Sequence, residues 1–411
     1  MFLKKKYIMN EGYNKVDSLF SSGNGSNIFI KKKKLLDLSL CAGSLILGHN
    51  SKIFKNSMRN ALKKNISNFA AKNEFAVDFS NTLKKIYPKY SDFIFCNSGT
   101  EAVFKSLRVA RAVSNRDLII SVTGSWHGSA SELLFTSGKN LKSVALSDGL
   151  EKYNKKNIKF IPYNNIELSK KILEKHKKKI MCIIIEPIQG CLPVYAKRYL
   201  KFLSDYTKKK KIILIFDEMI TGLRFEGSSV QNVFNLSPSI STFGKCFGGG
   251  LPIGIIALKK EIVKKLKNKN KKVFFGGTFS GNSINTYVGN QVTKYIYKNK
   301  KRLFKELDIK SRYLSNELNL FFRKEKYDAQ CFRLSSMIRI VFTRKNVSNR
   351  TQRDFFEKKN DKKIDNFRRY LFNYNIYYPT SGIIFLATTT TLKDIKYLIK
   401  TIQRGFRKFF R

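Results

Sequence analysis

Four short, almost uninterrupted apolar runs limit what this chain can fold into: Leu118-Ile-Ile-Ser-Val122, Ile180-Met-Cys-Ile-Ile-Ile185, Ile212-Ile-Leu-Ile-Phe216 and Ile253-Gly-Ile-Ile-Ala-Leu258. They offer no alternating polar face to water, and helical or polar stretches separate them. Runs of this kind are strands buried on both faces, as in a parallel sheet covered by helices, so an α/β fold is expected. Three of the runs lead straight into polar residues: Thr123-Gly-Ser-Trp-His127, Glu186-Pro-Ile-Gln-Gly190 and Asp217-Glu218. Ligands of open α/β sheets bind beyond the carboxyl ends of the strands, so these ends are candidates for one site. Taken singly, Glu186 or Asp217 serves equally well as a cap for the helix that follows.

The stretch Ser241-Thr-Phe-Gly-Lys-Cys-Phe-Gly-Gly-Gly-Leu-Pro-Ile-Gly254 sets Lys245 between the end of an apolar strand and a glycine cluster. Gly248, Gly249, Gly250 and Gly254 let the backbone turn sharply and pass close to a ligand. An ammonium moved out of water loses its proton more easily and becomes nucleophilic, so a lysine held there suits Schiff-base chemistry. A surface lysine beside a turn fits this window as well. Two nucleotide readings fail on spacing: a P-loop needs glycine where Ser239 stands, and a dinucleotide fingerprint opening at Gly248 needs glycine where Ile253 stands. Another turn, Asn97-Ser-Gly-Thr-Glu-Ala102, opens a stretch to Ala112 with apolar residues at helical spacing. It places backbone N–H groups and two hydroxyls at the positive end of a helix dipole, a ready phosphate site, although Ser and Thr also cap many helices for structural reasons alone.

With 411 residues, 42% of them hydrophobic, the chain can bury a large core in two subdomains. Residues 1–40 read as an N-terminal arm, 41–290 as a larger domain and 291–411 as a smaller α+β domain. The last is helix-like from Val288 to Leu320, then has strands at Met337-Ile-Arg-Ile-Val-Phe342 and Ile383-Ile-Phe-Leu-Ala387, with helices near Asp361 to Phe372 and Leu392 to Phe406. Six cysteines without a Cys-x-x-Cys pair, and only three histidines, suggest neither a disulfide framework nor a metal site, and fit a reducing cytoplasm. No run is long and apolar enough for a signal peptide or a membrane span, so neither is expected. The formal charge of +51 raises the question of nucleic acid. The lysines nevertheless fall in short bursts between apolar elements, such as Lys31 to Lys34 and Lys208 to Lys211, and no nucleic-acid-binding pattern accompanies them. Nonspecific adhesion to polyanions is what the charge supports, not specific nucleic-acid binding.

The separate signals become specific together. Ser98, Gly99 and Thr100 at a phosphate turn, Trp126 beside His127, Asp217 ending a strand and Lys245 after the next are the groups pyridoxal phosphate requires. Its phosphate takes N–H groups, its ring a flat face, its ring nitrogen a carboxylate and its aldehyde a lysine. Further motifs fall in register with these: Leu47-Gly-His-Asn50, Trp126-His-Gly128, Asp217-Glu-Met-Ile-Thr-Gly-Leu-Arg224 and Gly276-Gly-Thr-Phe-Ser-Gly-Asn282. In order and spacing the chain resembles the class III, fold-type I pyridoxal-phosphate aminotransferases from about Gly25 to Ile402, most closely their glutamate-1-semialdehyde aminomutase branch. The resemblance implies a large domain with a mostly parallel central sheet, and a smaller α+β domain against which the arm packs. It also implies a homodimer, pyridoxal 5'-phosphate as cofactor, and a small-molecule amino donor and carbonyl acceptor. By the same carry-over Lys245 is the Schiff-base lysine and Asp217 pairs with the ring nitrogen. Ser98, Gly99 and Thr100 hold the phosphate, and Trp126 stacks on the ring. His127, Glu186 and Met219 fall among the cofactor-lining positions, and Thr278 reaches the phosphate bound in the partner subunit.

Departures from the pattern bear on the substrate. Ile220 stands where ornithine- and aminobutyrate-type relatives usually have Gln, which is the aminomutase version. Ser18, however, occupies the place of an expected carboxylate-binding arginine, and Tyr378-Pro-Thr-Ser-Gly-Ile-Ile-Phe-Leu-Ala387 lacks the aminomutase's glutamate. Cys191 replaces an asparagine near the cofactor's hydroxyl, and Arg224 is a substitute cation whose place the sequence does not fix. The expectation is therefore transfer between separate donor and acceptor in two half-reactions. A true glutamate-1-semialdehyde aminomutase is the alternative, and a non-catalytic basic binding protein on the same fold a minor one.

Overall fold

The computed structural model describes residues 19–268, 270 and 272–411. Its largest sheet contains seven strands: β1 (Asp92–Cys96), β2 (Leu118–Val122), β3 (Ile158–Ile161), β4 (Ile180–Ile185), β5 (Ile213–Asp217), β6 (Ile240–Gly244) and β7 (Gly254–Leu258). Their spatial order is β1-β7-β6-β5-β4-β2-β3. The pairs from β6 through β3 are parallel, whereas β7 runs antiparallel to both β6 and β1. The apolar run at Ile253–Leu258 is thus a strand as expected but not a parallel one. Residues 245–253 between β6 and β7 are too few for a parallel crossover, which takes about a dozen, so the chain turns back.

Alternation explains why these strands are apolar throughout. In β5, Ile213 and Ile215 join one core cluster with Val103, Leu107 and Ala110 of the helix Gly99–Ser114. Leu214 and Phe216 join another, with Leu200 and Leu203 of the helix Lys197–Lys210. Successive side chains point to opposite faces, and both faces are covered, so no position is left for a polar residue. Strand β3 escapes the run-based reading because Lys159 interrupts it: that residue is exposed while its neighbours are buried.

The C-terminal region is built differently. A three-stranded antiparallel sheet of Gln330–Leu334, Met337–Val341 and Ile383–Phe385 packs with the helices Lys300–Lys324, Asp361–Asn373 and Leu392–Phe409. The helix-like stretch from Val288 to Leu320 is two helices, Ser283–Lys298 and Lys300–Lys324, separated at Asn299. Strands Ser22–Asn24, Asn27–Ile30 and Lys33–Asp37 form a sheet completed by Ile376–Tyr377, which ties the start of the described chain to its end. No helix of the described residues is long and apolar enough to cross a membrane.

The helix Ser283–Lys298 braces the turn after β6. A Cβ at Gly289 would lie 2.4 Å from the Phe247 carbonyl oxygen and 3.0 Å from the Phe79 ring, so this helix sits at its observed height only with glycine there. Gly289→Ala is expected to lower stability by about 1 to 3 kcal/mol through overpacking, read as a lower urea midpoint with an unchanged slope. An unchanged midpoint would show that the helix is free to shift.

Candidate active site

The topology brings the strand ends together. Because β7 is antiparallel to both its neighbours, β1 points the same way as the parallel strands, and the carboxyl ends of β1, β2, β4, β5 and β6 all lie on one edge. Parallel register sets Asp217, the last residue of β5, beside Thr242 in β6. Lys245 follows β6 directly. A cavity of about 960 Å³ opens at this edge, and Ser98, Gly99, Thr100, Trp126, His127, Glu186, Asp217, Met219 and Lys245 all line it.

Each of these residues is held by a definable local feature. Lys245 adopts a left-handed backbone with φ 49°, unusual for a side-chain-bearing residue, at the head of the 3-10 turn Lys245–Gly248. Burial depresses its ammonium pKa below the ordinary lysine range, while the nearby Glu186 and Asp217 carboxylates pull it back up. Asp217 Oδ2 lies 2.8 Å from His127 Nδ1, and Asp217 Oδ1 accepts from Met219 N–H at 3.2 Å and from the Thr242 hydroxyl at 3.3 Å. His127 Nε2 is buried without a hydrogen-bond partner. Glu186 accepts from the backbone N–H of Trp126 at 2.8 Å and of Gly190 at 3.2 Å, and burial raises its pKa. The Trp126 indole, tethered through that first bond, is 53% exposed, which leaves it available to the cavity.

The turn at Ser98 opens the helix Gly99–Ser114. The Ser98 hydroxyl accepts from Glu101 N–H at 3.1 Å as the N-cap, so its side chain serves the helix. Gly99 and Thr100 are the first helical residues, whose N–H groups have no intrahelical acceptor. A Cβ at Gly99 would lie 2.8 Å from Met219 Sδ, and one at Gly128 would lie 2.3 Å from Thr100 Oγ1, so two glycines keep this end of the cavity open. Thr278 is not brought in with the others. It is exposed in a turn that Lys105 holds to the same helix, through a 2.6 Å bond to the Phe275 carbonyl.

Two expectations about cations resolve differently. Arg224 is fully buried away from the cavity lining: its guanidinium bonds to the Gly43 carbonyl and the Ser336 hydroxyl and lies 4.8 Å from the Phe385 ring centroid. It buttresses the turn Leu40–Gly43 and is no substrate ligand. Ser18 lies outside the described residues. The cavity does contain arginines the motif reading passed over, namely Arg339, Arg350, Arg353 and Arg368. One signal was present: Arg339 interrupts the run Met337-Ile-Arg-Ile-Val, every residue of which is buried.

Comparison with known proteins agrees with this geometry. The profile of the family described as Aminotransferase class-III matches residues 9–363. The chain is 31% identical to the glutamate-1-semialdehyde 2,1-aminomutase of Thermosipho melanesiensis over 97% of this chain and 96% of that one. It is 33% identical to the enzyme of the same name from Methanosphaera stadtmanae over 79% of this chain and 77% of that one. Among solved structures it superimposes on an omega-transaminase from Sphaerobacter thermophilus with TM-score 0.86 at 21% identity, covering 94% of this chain and 90% of that one. A glutamate-1-semialdehyde aminomutase from Pseudomonas aeruginosa PAO1 gives 0.85 at 15% identity, covering 96% and 88%. The shared fold is the α/β architecture of these transaminases and aminomutases.

Asp217 and its neighbour Glu218 diverge, as successive residues at a strand end do. Glu218 is buried in the core, where it accepts from Thr221 Oγ1 at 2.5 Å, Gln231 N–H at 2.9 Å and Val230 N–H at 3.1 Å. Burial outweighs those bonds and raises its pKa from 4.5 to about 7. Between those values the folded chain holds a proton that the unfolded chain has lost, so this group's contribution makes stability fall as pH rises from 4.5 to 7. Thermal melts across that window should show Glu218→Gln with a flatter slope than wild type, the difference amounting to roughly 3 kcal/mol at most. Parallel slopes would mean that Glu218 is ionised throughout.

Proposed function

The chain belongs to the class-III aminotransferase family, and from that premise we propose that it transfers an amino group to or from an aldehyde or ketone carbon, using pyridoxal 5'-phosphate. The observation that carries this reading is the meeting of Lys245, Asp217 and the Ser98–Thr100 turn in one cavity. The residues fit the cofactor. Lys245 offers a desolvated amine, Asp217 a carboxylate anchored on three sides, Trp126 a flat face, and Gly99 backbone N–H groups that no Cβ obstructs. Bound pyridoxal phosphate supplies an aldehyde for the amino group and a protonated ring that draws off the electron pair left on the substrate carbon.

The chain's own groups do the rest. Lys245 would hold the cofactor, and its amine would move the proton at the substrate carbon. Asp217 keeps the ring nitrogen protonated, and His127 orients Asp217 through the 2.8 Å contact between them. Glu186 fixes Trp126 through the backbone, while Gly99 and Thr100 receive the phosphate with help from the helix dipole. Met219 Sδ packs against Gly99 and leaves no room for a side chain there. The enzyme acts as a homodimer in which Thr278, exposed in the single chain, reaches the partner's phosphate. Six free cysteines support a cytoplasmic setting.

Donor and acceptor are separate small molecules that enter in turn. A second reading, the glutamate-1-semialdehyde aminomutase reaction, is favoured by relatives of that name at 31% and 33% identity. Adding glutamate-1-semialdehyde alone to pure enzyme separates the two: slow or stoichiometric conversion is expected, and rapid complete formation of 5-aminolevulinate without an added donor installs the aminomutase. Lys245→Ala should reduce turnover at least about a thousandfold and Asp217→Ala comparably, with Lys210→Ala unchanged. Equal effects at Lys245 and Lys210 would remove the assignment. Sedimentation in high salt, which suppresses polyanion-driven association by a chain of charge +51, should give a dimer. A monomer that binds cofactor tightly would rule out the shared site.

A further inference from the structure

The most buried lysine among the described residues is Lys105, 2% exposed in the helix that opens at the Ser98 turn. Its Nζ pairs with the Glu101 carboxylate one turn back, and donates to the Phe275 carbonyl at 2.6 Å and to the Gly276 carbonyl at 3.5 Å. Arg108, three residues on and so on the same helix face, donates to the Phe274 carbonyl at 2.7 Å. Residues 272–277 lie in neither helix nor strand, so two side chains of this helix supply donors to three successive carbonyls that no sheet serves. The far end of the segment is held as well. Asn73 Nδ2 donates to the Gly281 carbonyl at 2.8 Å, while Asn73 Oδ1 caps the helix Glu74–Ile86 by accepting from Ala76 N–H at 3.0 Å. Between these two grips stands Thr278, exposed.

Glu101 faces both ways. Its Oε2 accepts from Asn97 N–H at 2.7 Å and its own N–H donates to the Ser98 hydroxyl at 3.1 Å, so it belongs to the phosphate turn of its own subunit. Its Oε1 takes Lys105 and lies 3.4 Å from the Ser280 hydroxyl, just beyond Thr278. Burial on its own would raise the Glu101 pKa, but the bonds from Lys105 and Asn97 outweigh it and leave the carboxyl below the ordinary glutamate value. A buried ammonium is costly, and apolar side chains of similar volume commonly fill such places with no loss of stability. What the lysine adds is a fixed height of the segment 274–276 above the helix, and with it a fixed place for Thr278 two residues on.

We propose that Lys105 is a positioning residue that acts across the dimer: braced by Glu101, it sets the segment that carries Thr278 to the phosphate bound in the partner subunit. This rests on the homodimer and cofactor reading given above. Each cofactor site then depends on the Lys105 of the opposite subunit more than on its own. Loss of the ammonium releases the carbonyls of Phe275 and Gly276 but leaves Glu101 bonded to Asn97 and Ser98.

Heterodimers of differently tagged full-length chains test it. In every one, one subunit carries Lys245→Ala, so that only the other can be labelled at Lys245 by pyridoxal 5'-phosphate and borohydride. In the trans arm Lys105→Met lies in the Lys245→Ala subunit, and in the cis arm in the subunit that keeps Lys245. The trans arm should need roughly tenfold to a hundredfold more cofactor for half-labelling than the heterodimer with native Lys105, and the cis arm far less. The two arms contain the same substitutions, so a general loss of folding cannot separate them. If Lys105→Met does not assemble, Lys105→Gln, which keeps a donor, is read by the same criterion with a smaller separation. Pyridoxal, which has no phosphate, should label both arms alike. In the cofactor-free homodimer, amides of residues 274–282 should exchange hydrogen faster in Lys105→Met than in wild type. Equal weakening of the arms, a trans effect that persists with pyridoxal, or unchanged exchange overturns the role of Lys105 alone. A wild type that takes up no pyridoxal phosphate at Lys245 overturns the transfer reading, and this role with it.

Discussion

Everything at the site depends on the pairing of β5 with β6 in parallel, Asp217 against Thr242. A slip of one residue would turn Asp217 into the core, where Glu218 now sits, and bring Glu218 to the cavity. The same register carries Lys245 beyond the strand edge, where a left-handed backbone lifts it out of the line of the sheet. The reversal at β7 matters as much. It restores β1 to the common direction and so brings the N-terminus of the helix Gly99–Ser114 to the edge where the carboxylate and the lysine emerge. One short turn between β6 and β7 thus both presents Lys245 and orients the turn that faces it across the cavity.

Much of this was legible in the residues, for a physical reason. Strands covered on both faces write their burial as unbroken apolar runs, and the residues that end them had to be polar for a purpose. The direction of β7 was not legible, since an antiparallel strand inside a covered sheet has the same composition as a parallel one. Arg224 shows the opposite failure. As a cation ending a chemical motif it invites a ligand role, but only the fold reveals that it is buried away from the cavity lining, against a carbonyl, a hydroxyl and a ring. The arginines that do line the cavity belong to no local motif, because Arg339, Arg353 and Glu357 meet only when a strand and a helix from separate parts of the chain pack together.

The site also separates its charges economically. Glu186 accepts from two backbone N–H groups, and burial raises its pKa. Asp217 in turn has a histidine, a hydroxyl and an amide around it, which hold a carboxylate in place without neutralising it through a lysine or arginine. Lys245 has no direct salt bridge among the described residues; burial lowers its pKa, and the nearby Glu186 and Asp217 carboxylates offset part of that.

The contact between Gly382 and Arg339 imposes an order on how this cavity can vary. With the arginine in place, any side chain at position 382 would overlap its guanidinium, whereas a glycine at 382 tolerates many residues at 339. Between this pair and one that has neither, only the route that changes Arg339 first passes through a sterically allowed intermediate. Gained in the other direction, the glycine had to precede the arginine. The two positions are therefore coupled asymmetrically: Gly382 already answers to its own left-handed backbone, φ +69°, and is in addition a precondition for the cation, whereas Arg339 depends on the glycine and not the reverse.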